Sequence, residues 1–213
     1  TLIIGILIGL CGWGTTTAFA AEESYFYYVL PPKAVIMVND EKLINESIEQ
    51  AKMVFKNESK ESVIIPRGIE GVRIISKNFH TDIKDESSLM LNETMSLESG
   101  SIHVMTQAGA TGEGSLTIGT LVVTFQSADF VAFVSGDQKE TIIKVSEGEV
   151  QIEQPAAKQT ALVKTGQATS TDTDGKLLTP FPFEATATAG WGTSDLYQLE
   201  YNIFAIADAG DDQ

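Results

Sequence analysis

The 213-residue chain carries 29 Asp and Glu against 14 Lys and Arg, a formal charge of −15, with one cysteine and two histidines. That acidic surplus repels phosphate backbones and anionic headgroups, which sets aside nucleic acid and direct binding to anionic lipid. A lone cysteine forms no internal disulfide, and abundant Thr, Val, Ile and Ser favours strands over helices.

Residues 1–20 carry no charge. The apolar run from Leu2 to Trp13 falls short of the roughly 20 residues a spanning helix needs, but suits the hydrophobic region of a secretory signal. Ala18 and Ala20 bracket Phe19 with the small side chains a signal peptidase accepts, so cleavage is predicted before Ala21. The chain opens on Thr1 with no basic residue ahead of the apolar run, as expected of a signal peptide truncated at its start. A retained membrane anchor or a pilin-like N-terminal helix is the alternative. Gly5, Gly9, Gly12, Gly14 and the threonines 15–17 make a poor long helix and weigh against both. Cys11 follows Leu10 rather than a small residue, so it reads as apolar filler and not as a lipidation site. Cleavage at Ala21 leaves no cysteine, and a domain of the remaining size buries enough core without disulfides.

Residues 21–59 form an N-terminal extension. Tyr25 to Leu30 is aromatic and strand-like, Pro31 and Pro32 break it, and Ala34 to Val38 reads as a second strand. Ile44, Ile48, Ala51 and Phe55 fall at helical spacing, predicting a short helix over Glu41 to Lys56, with a strand pair as the alternative.

Residues 60–168 are the main body. Strands are predicted at Val63 to Ile65, Val72 to Ile75, Ser88 to Leu91, Ile102 to Met105, Leu121 to Phe125, Phe130 to Val134, Thr141 to Val145 and Val150 to Ile152. Their spacing is that of sandwiches and coiled β-architectures. A small repeat runs through them: Glu70-Gly-Val-Arg-Ile74, Ser99-Gly-Ser-Ile-His-Val104 and Glu147-Gly-Glu-Val-Gln-Ile152. In each, glycine permits a left-handed backbone before a strand of alternating apolar residues. Uneven spacing argues against a strict solenoid.

Residues 169–213 are read as a C-terminal loop and helix. Ala168 to Phe183 is expected to be an exit loop. Ser194 is placed to cap a final amphipathic helix with Leu199, Ile203 and Ile206 on one face, and that face is expected to dock on the β-body. A partner-binding helix is the alternative reading.

No short-spaced His/Cys pair appears in the sequence. His103 falls on the outward beat of its strand, which predicts a solvated histidine. No Gly-x-Ser-x-Gly elbow is present, and Gly109-Ala-Thr-Gly-Glu-Gly114 lacks the Lys-Ser/Thr ending of a phosphate loop, so it reads as a turn. Asp172-Thr-Asp174-Gly175 is the best metal candidate. Read as a calcium loop its twelfth position is Phe181, where a bidentate carboxylate is required, so an Asp-Gly turn is favoured over a weak surface calcium site. Asp85-Glu86 reads as a solvated turn. Asn45, Asn57 and Asn92 each begin an N-glycosylation acceptor triplet, with chance in an Asn/Ser/Thr-rich chain as the competing reading; both place them on exposed surface. No catalytic, metal or cofactor site is assigned.

The order of features from Gly100 to Gln167 resembles the FecR-type extracytoplasmic domain family. Asp85-Glu-Ser-Ser-Leu-Met-Leu91 resembles its strand behind an acidic turn, and Ser99 to Val104 its glycine-led strand. Leu121 to Val134 is similar to its central paired strands, Thr141 to Ile152 to its threonine strand with Glu-Gly-x-Val, and Lys164-Thr-Gly-Gln167 to its closing Gly-Gln. The chain departs from the family at Gln126-Ser-Ala-Asp-Phe130, which lacks the frequent Gly-Thr step, and shows no cytosolic helical domain of a full sigma-factor regulator. The resemblance implies an all-β, antiparallel sandwich or irregular roll of short strands, with no catalytic site and no cofactor. Its expected partners are an extracytoplasmic protein or a cell-surface polymer, with self-association allowed and membrane contact only if residues 1–20 are retained. The expected function is therefore an exported, non-enzymatic binding module. Two alternatives stand beside it: the extracytoplasmic part of a sigma-factor regulator, and a structural filament or surface-layer subunit.

Overall fold

The computed structural model describes residues 26–45, 51–55, 61–69 and 71–183, and these hold sixteen strands and no helix. Four strands precede the main body: β1 (Phe26–Leu30), β2 (Val35–Val38), β3 (Glu41–Ile44) and β4 (Ala51–Phe55). Next come β5 (Glu61–Ile65), β6 (Val72–Ile75), β7 (Phe79–Ile83), β8 (Ser87–Leu91) and the long β9 (Met95–Thr106). After them follow β10 (Gly114–Ile118), β11 (Leu121–Phe125), β12 (Ala128–Val134) and the equally extended β13 (Thr141–Gln154). Strands β14 (Gln159–Lys164), β15 (Gln167–Ser170) and β16 (Phe181–Pro182) complete the set.

Two sheets share these strands. The first is antiparallel throughout, in the order β4-β1-β6-β7-β9-β12-β13-β15-β16. The second runs β3-β2-β5-β8-β9-β10-β11-β13-β14, antiparallel except where Met95–Leu97 of β9 runs parallel to Leu116–Ile118 of β10. Alternation decides which side chains meet between the sheets: Leu121, Val123 and Phe125 of β11 turn inward, as do Phe79, Thr81 and Ile83 of β7. The inward side chains form one continuous apolar core. At its centre the Phe125 ring meets Phe79 and Phe130 edge-to-face, with centroids 5.4 and 5.2 Å away. Each aliphatic side chain fully withdrawn from water here contributes roughly 1.5–3 kcal/mol.

Strands β9 and β13 belong to both sheets, and a glycine marks where each crosses over. Residues up to Ser99 of β9 pair with β8, and from Gly100 onward the strand pairs with β12. In β13, Thr141 to Gly148 pair with β12, whereas Glu149 to Gln154 pair with β14. Gly100 and Gly148 take φ of +96° and +78°, a region L-residues rarely adopt. Both are crowded as well. A Cβ on Gly100 would collide with Ser87, and one on Gly148 with the backbone carbonyl of Ser127. Two of the three repeats seen in the sequence are therefore sheet-switching corners.

Two expectations are corrected. Residues 41–56 hold no helix where they are described: Glu41–Ile44 and Ala51–Phe55 are strands, so the alternative of a strand pair stands. The residues that space like a helix are split between β3, which closes a two-residue hairpin on β2, and β4, which pairs along all of β1. Asn39 and Asp40, both at positive φ, form that hairpin turn. The stretch Ala168 to Phe183 is likewise more than an exit loop, because β15 pairs with β13 from Ile142 to Val145 and β16 adds to its far side. The signal segment, Asn57 and the C-terminal helix lie outside the described residues.

Gly71 has the same φ as Gly148, +78°, but open space around its Cβ position. Gly71→Ala is expected to cost about 1 kcal/mol from backbone strain alone. Gly148→Ala adds a backbone collision and is expected to cost roughly 3–5 kcal/mol. Urea midpoints of the two variants measure the difference.

Candidate functional site

The face of the first sheet turned away from the core carries an unusual load of polar side chains. Register places them in two rows. One runs Arg73, Asp82, His103, Val131, Lys144 across β6, β7, β9, β12 and β13. The other, two residues along, runs Ile75, His80, Met105, Asp129, Glu147. Strand alternation predicts such residues to be wet, yet Arg73, Ile75, His80, Asp82, His103 and Met105 are all at most 9 % exposed.

Arg73 and Asp82 form a bidentate pair, Nε donating to Oδ1 at 2.5 Å and a terminal guanidinium nitrogen to Oδ2 at 2.9 Å. Two parallel charge-assisted hydrogen bonds fix both side chains and compensate the desolvation of the guanidinium. Beside them, His103 Nε2 lies 2.8 Å from Asp129 Oδ1. A β-bulge follows Asp129: it pairs with Glu147, whereas Phe130 pairs with Val145. Ser146 is the extra residue, and the bulge turns its hydroxyl onto Asp129, where Oγ donates to Oδ1 at 2.5 Å and stands 2.8 Å from the backbone carbonyl. Burial on its own raises the Asp129 carboxyl. The hydrogen bonds from His103 and Ser146, with the attraction of both imidazoles, outweigh that and hold it below the usual carboxylate range.

The three groups are those of a serine triad, but their order is different. Asp129 sits in the middle and accepts from both neighbours, so the Ser146 hydroxyl is bonded to a carboxylate and not to the imidazole that would take its proton. This arrangement joins β9, β12 and β13 through the Asp129 carboxylate. Next to it opens a cavity of about 470 Å³, walled by His80, Met105, Thr106, Gln107, Asp129 and Glu147. Its lining carries two carboxylates, Asp129 and Glu147, and the His80 imidazole. Among the described residues no group of His, Cys, Asp and Glu is arranged to hold a metal ion.

The residues singled out in the sequence fare differently. His103 does point outward, but it is buried and paired with Asp129, which corrects the expectation of a solvated histidine; alternation gives the face and not its exposure. Asn45 is corrected too. Its side chain is 2 % exposed, and Nδ2 donates to the carbonyls of Leu30 and Pro31 at 3.0 Å each, which holds the Pro31-Pro32 turn. A glycan on that nitrogen has no room, so Asn45 does not mark exposed surface. Asn92 is exposed in the β8–β9 turn, where its Oδ1 accepts from the Thr94 amide at 2.9 Å. Asp172 directs Oδ1 to the amides of Asp174 and Lys176, and Gly175 donates back to its carbonyl, so this segment is a tight turn. Ala18, Ala20, Ala21 and Asn57 lie outside the described residues. Arg73, Asp82, Asp129 and Ser146 were missed. Arg73 does leave a trace, as a charge inside an otherwise apolar strand.

No protein-family model matches the chain, and no curated protein does. Among solved structures the chain is similar to a candidate anti-sigma factor from Parabacteroides distasonis, with a TM-score of 0.53 at 8% identity over 62% of this chain and 64% of that one. A second candidate anti-sigma factor from the same organism matches with a TM-score of 0.41 at 12% identity, over 63% of this chain and 61% of that one. The chain thus spans less than two thirds of the length of either structure. The first likeness shows a shared fold.

Truncating one member of a buried ion pair strands the other charge, so Asp82→Ala is expected to lower stability by about 3–5 kcal/mol. The double variant Arg73→Met, Asp82→Leu is expected to recover most of that loss, read as the urea midpoint. Because the folded-state pKa of Asp129 is depressed, its contribution is complete above the unfolded value near pH 4 and is lost as pH falls through the lower folded value. The stability difference between the natural protein and Asp129→Asn should therefore be constant at neutral pH and shrink on acidification below about pH 4.

Proposed function

We propose that this chain is an extracytoplasmic binding module of the FecR-like class, exported and acting on another protein or a cell-surface polymer without a covalent step. The observation that carries this reading is the all-β two-sheet fold, which is similar over 62% of this chain to the first Parabacteroides structure. The motifs behind the FecR resemblance lie on that framework: Ser99 to Val104 spans one corner, and Glu147 to Ile152 the other. Among the described residues β3 and β14 end the second sheet, each pairing with one neighbour and exposing Ile44 and Leu162, and these ends are the surface that the reading assigns to binding. An open edge of this kind takes an added strand, with alternate side chains giving specificity.

A second reading is favoured by one observation. The matched structure is described as a candidate anti-sigma factor, which supports the extracytoplasmic part of a sigma-factor signalling regulator. The N-terminal sequence and intact mass of the protein from its native host separate the two. A start at Ala21 is expected for the free exported module, whereas a retained anchor with a helical domain ahead of it supports the regulator. Purified protein is expected to bind an envelope fraction reversibly and with unchanged mass. Chelator-sensitive turnover of a substrate would overturn the non-enzymatic reading.

A further inference from the structure

Among the described residues the two sheets end on four strands, β4 and β16 in the first and β3 and β14 in the second. A sheet end presents a row of unpaired amides and carbonyls to any strand that fits it, and proteins guard such rows with shortness, proline, bulges or a central charge. Three of the four are guarded in this way. Strand β16 is two residues long and contains Pro182, β3 is four residues with Lys42 inside it, and β4 carries Lys52. Strand β14 is different: Gln159–Lys164 is six residues, runs against β13 without a register shift, and has no proline and no charge before its last residue. The Thr165 amide donates to the Gly148 carbonyl at 2.9 Å, so the odd-numbered residues of β14 bond towards β13. The amides and carbonyls of Thr160 and Leu162 therefore point away from the sheet, and the Leu162 side chain beside them is 42 % exposed.

We propose that β14 is a homodimer edge, pairing antiparallel with β14 of a second copy about a two-fold axis at Leu162. A second copy fits because the strand is self-complementary. Centred there, Leu162 meets Leu162 of the second copy, Ala161 meets Val163, and Thr160 meets Lys164. Centring on Ala161 would set Lys158 against Lys164, and centring on Val163 would run the pairing into the Thr165-Gly166 turn. The charged side chains of β14 and of the stretch of β13 beside it are Lys164, Glu149 and Glu153. Register places Glu149 opposite Lys164 and Glu153 opposite Thr160. In the dimer each Lys164 lies across Thr160 of the other copy, two inter-strand steps or about 10 Å from that copy's Glu153, a gap that the two side chains span. This offsets locally the repulsion between two chains of charge −15. The Lys164 amide, also on the outward side, is held in the single chain by Gln167 Oε1 at 3.0 Å, a place that the Thr160 carbonyl of the second copy takes over. Pairing along six residues is small beside the roughly 800 Å² per partner of a standard interface, so the dimer is expected to form only as concentration rises. The dimer involves β14 alone, is independent of the binding reading, and leaves β3 open to a partner.

The test follows the full chain by sedimentation over a wide range of concentration. A mass rising towards twice that of the monomer is expected, lost in Leu162→Lys and kept in Ile44→Lys, with urea midpoints unchanged because both side chains are exposed. In a Cys11→Ser background, Leu162→Cys is expected to give a disulfide-linked dimer on mild oxidation, since Cα atoms in such a hydrogen-bonded pair stand about 5.5 Å apart. Ile44→Cys in the same background is expected to stay monomeric. A monomer at every concentration would overturn the proposal, as would a dimer that survives Leu162→Lys. Longer polymers abolished by either lysine variant would mean that β3 of one copy adds to β14 of the next, which contradicts a closed two-fold pair.

Discussion

Everything in this molecule depends on two strands being allowed to change sheets. A strand can leave one sheet and enter another only by bending sharply, and close packing at the bend leaves no room for a side chain. Gly100 and Gly148 meet both demands at once, with positive φ and neighbouring atoms where a Cβ would stand. Because β9 and β13 each hydrogen-bond to partners in both sheets, the sheets hold a fixed relation to each other. The apolar core between them is one cluster and not two.

The same framework shapes the outer face of the first sheet. Continuity of β9 and β12 across the sheet brings His103 and Asp129 together, and the bulge in β13 adds Ser146 to the same carboxylate. The Arg73–Asp82 pair one strand over satisfies what would otherwise be a costly buried charge. Together these bonds tie β6 to β7 and join β9, β12 and β13 through one carboxylate.

Much of the fold was legible in the sequence because alternation reports burial directly. Leu121 to Phe125 and Phe130 to Val134 lie where apolar residues recur every second position, and the all-β class follows from them. Strand β7 was missed because His80 and Asp82 occupy its alternate positions and break the run into single apolar residues. The β2–β3 hairpin had a readable signal in Asn39-Asp40 between two short apolar runs, but helical spacing from Ile44 onward competed with it. The glycine repeat was visible, whereas its meaning as a corner was not, since only the partners on either side reveal a change of sheet. The polar cluster was beyond reach for a similar reason. Arg73 and Asp82, or His103 and Asp129, become neighbours only through register, and Asn45 is buried by a turn that lies fifteen residues earlier.

The claim that the sheets form a single unit through their shared strands is tested most directly by native-state hydrogen exchange under rising denaturant. Amides of β7 and β12, which belong to the first sheet alone, are predicted to converge on the same opening free energy as those of β5 and β11 in the second. Separate convergence, with one sheet opening while the other stays protected, would contradict the account.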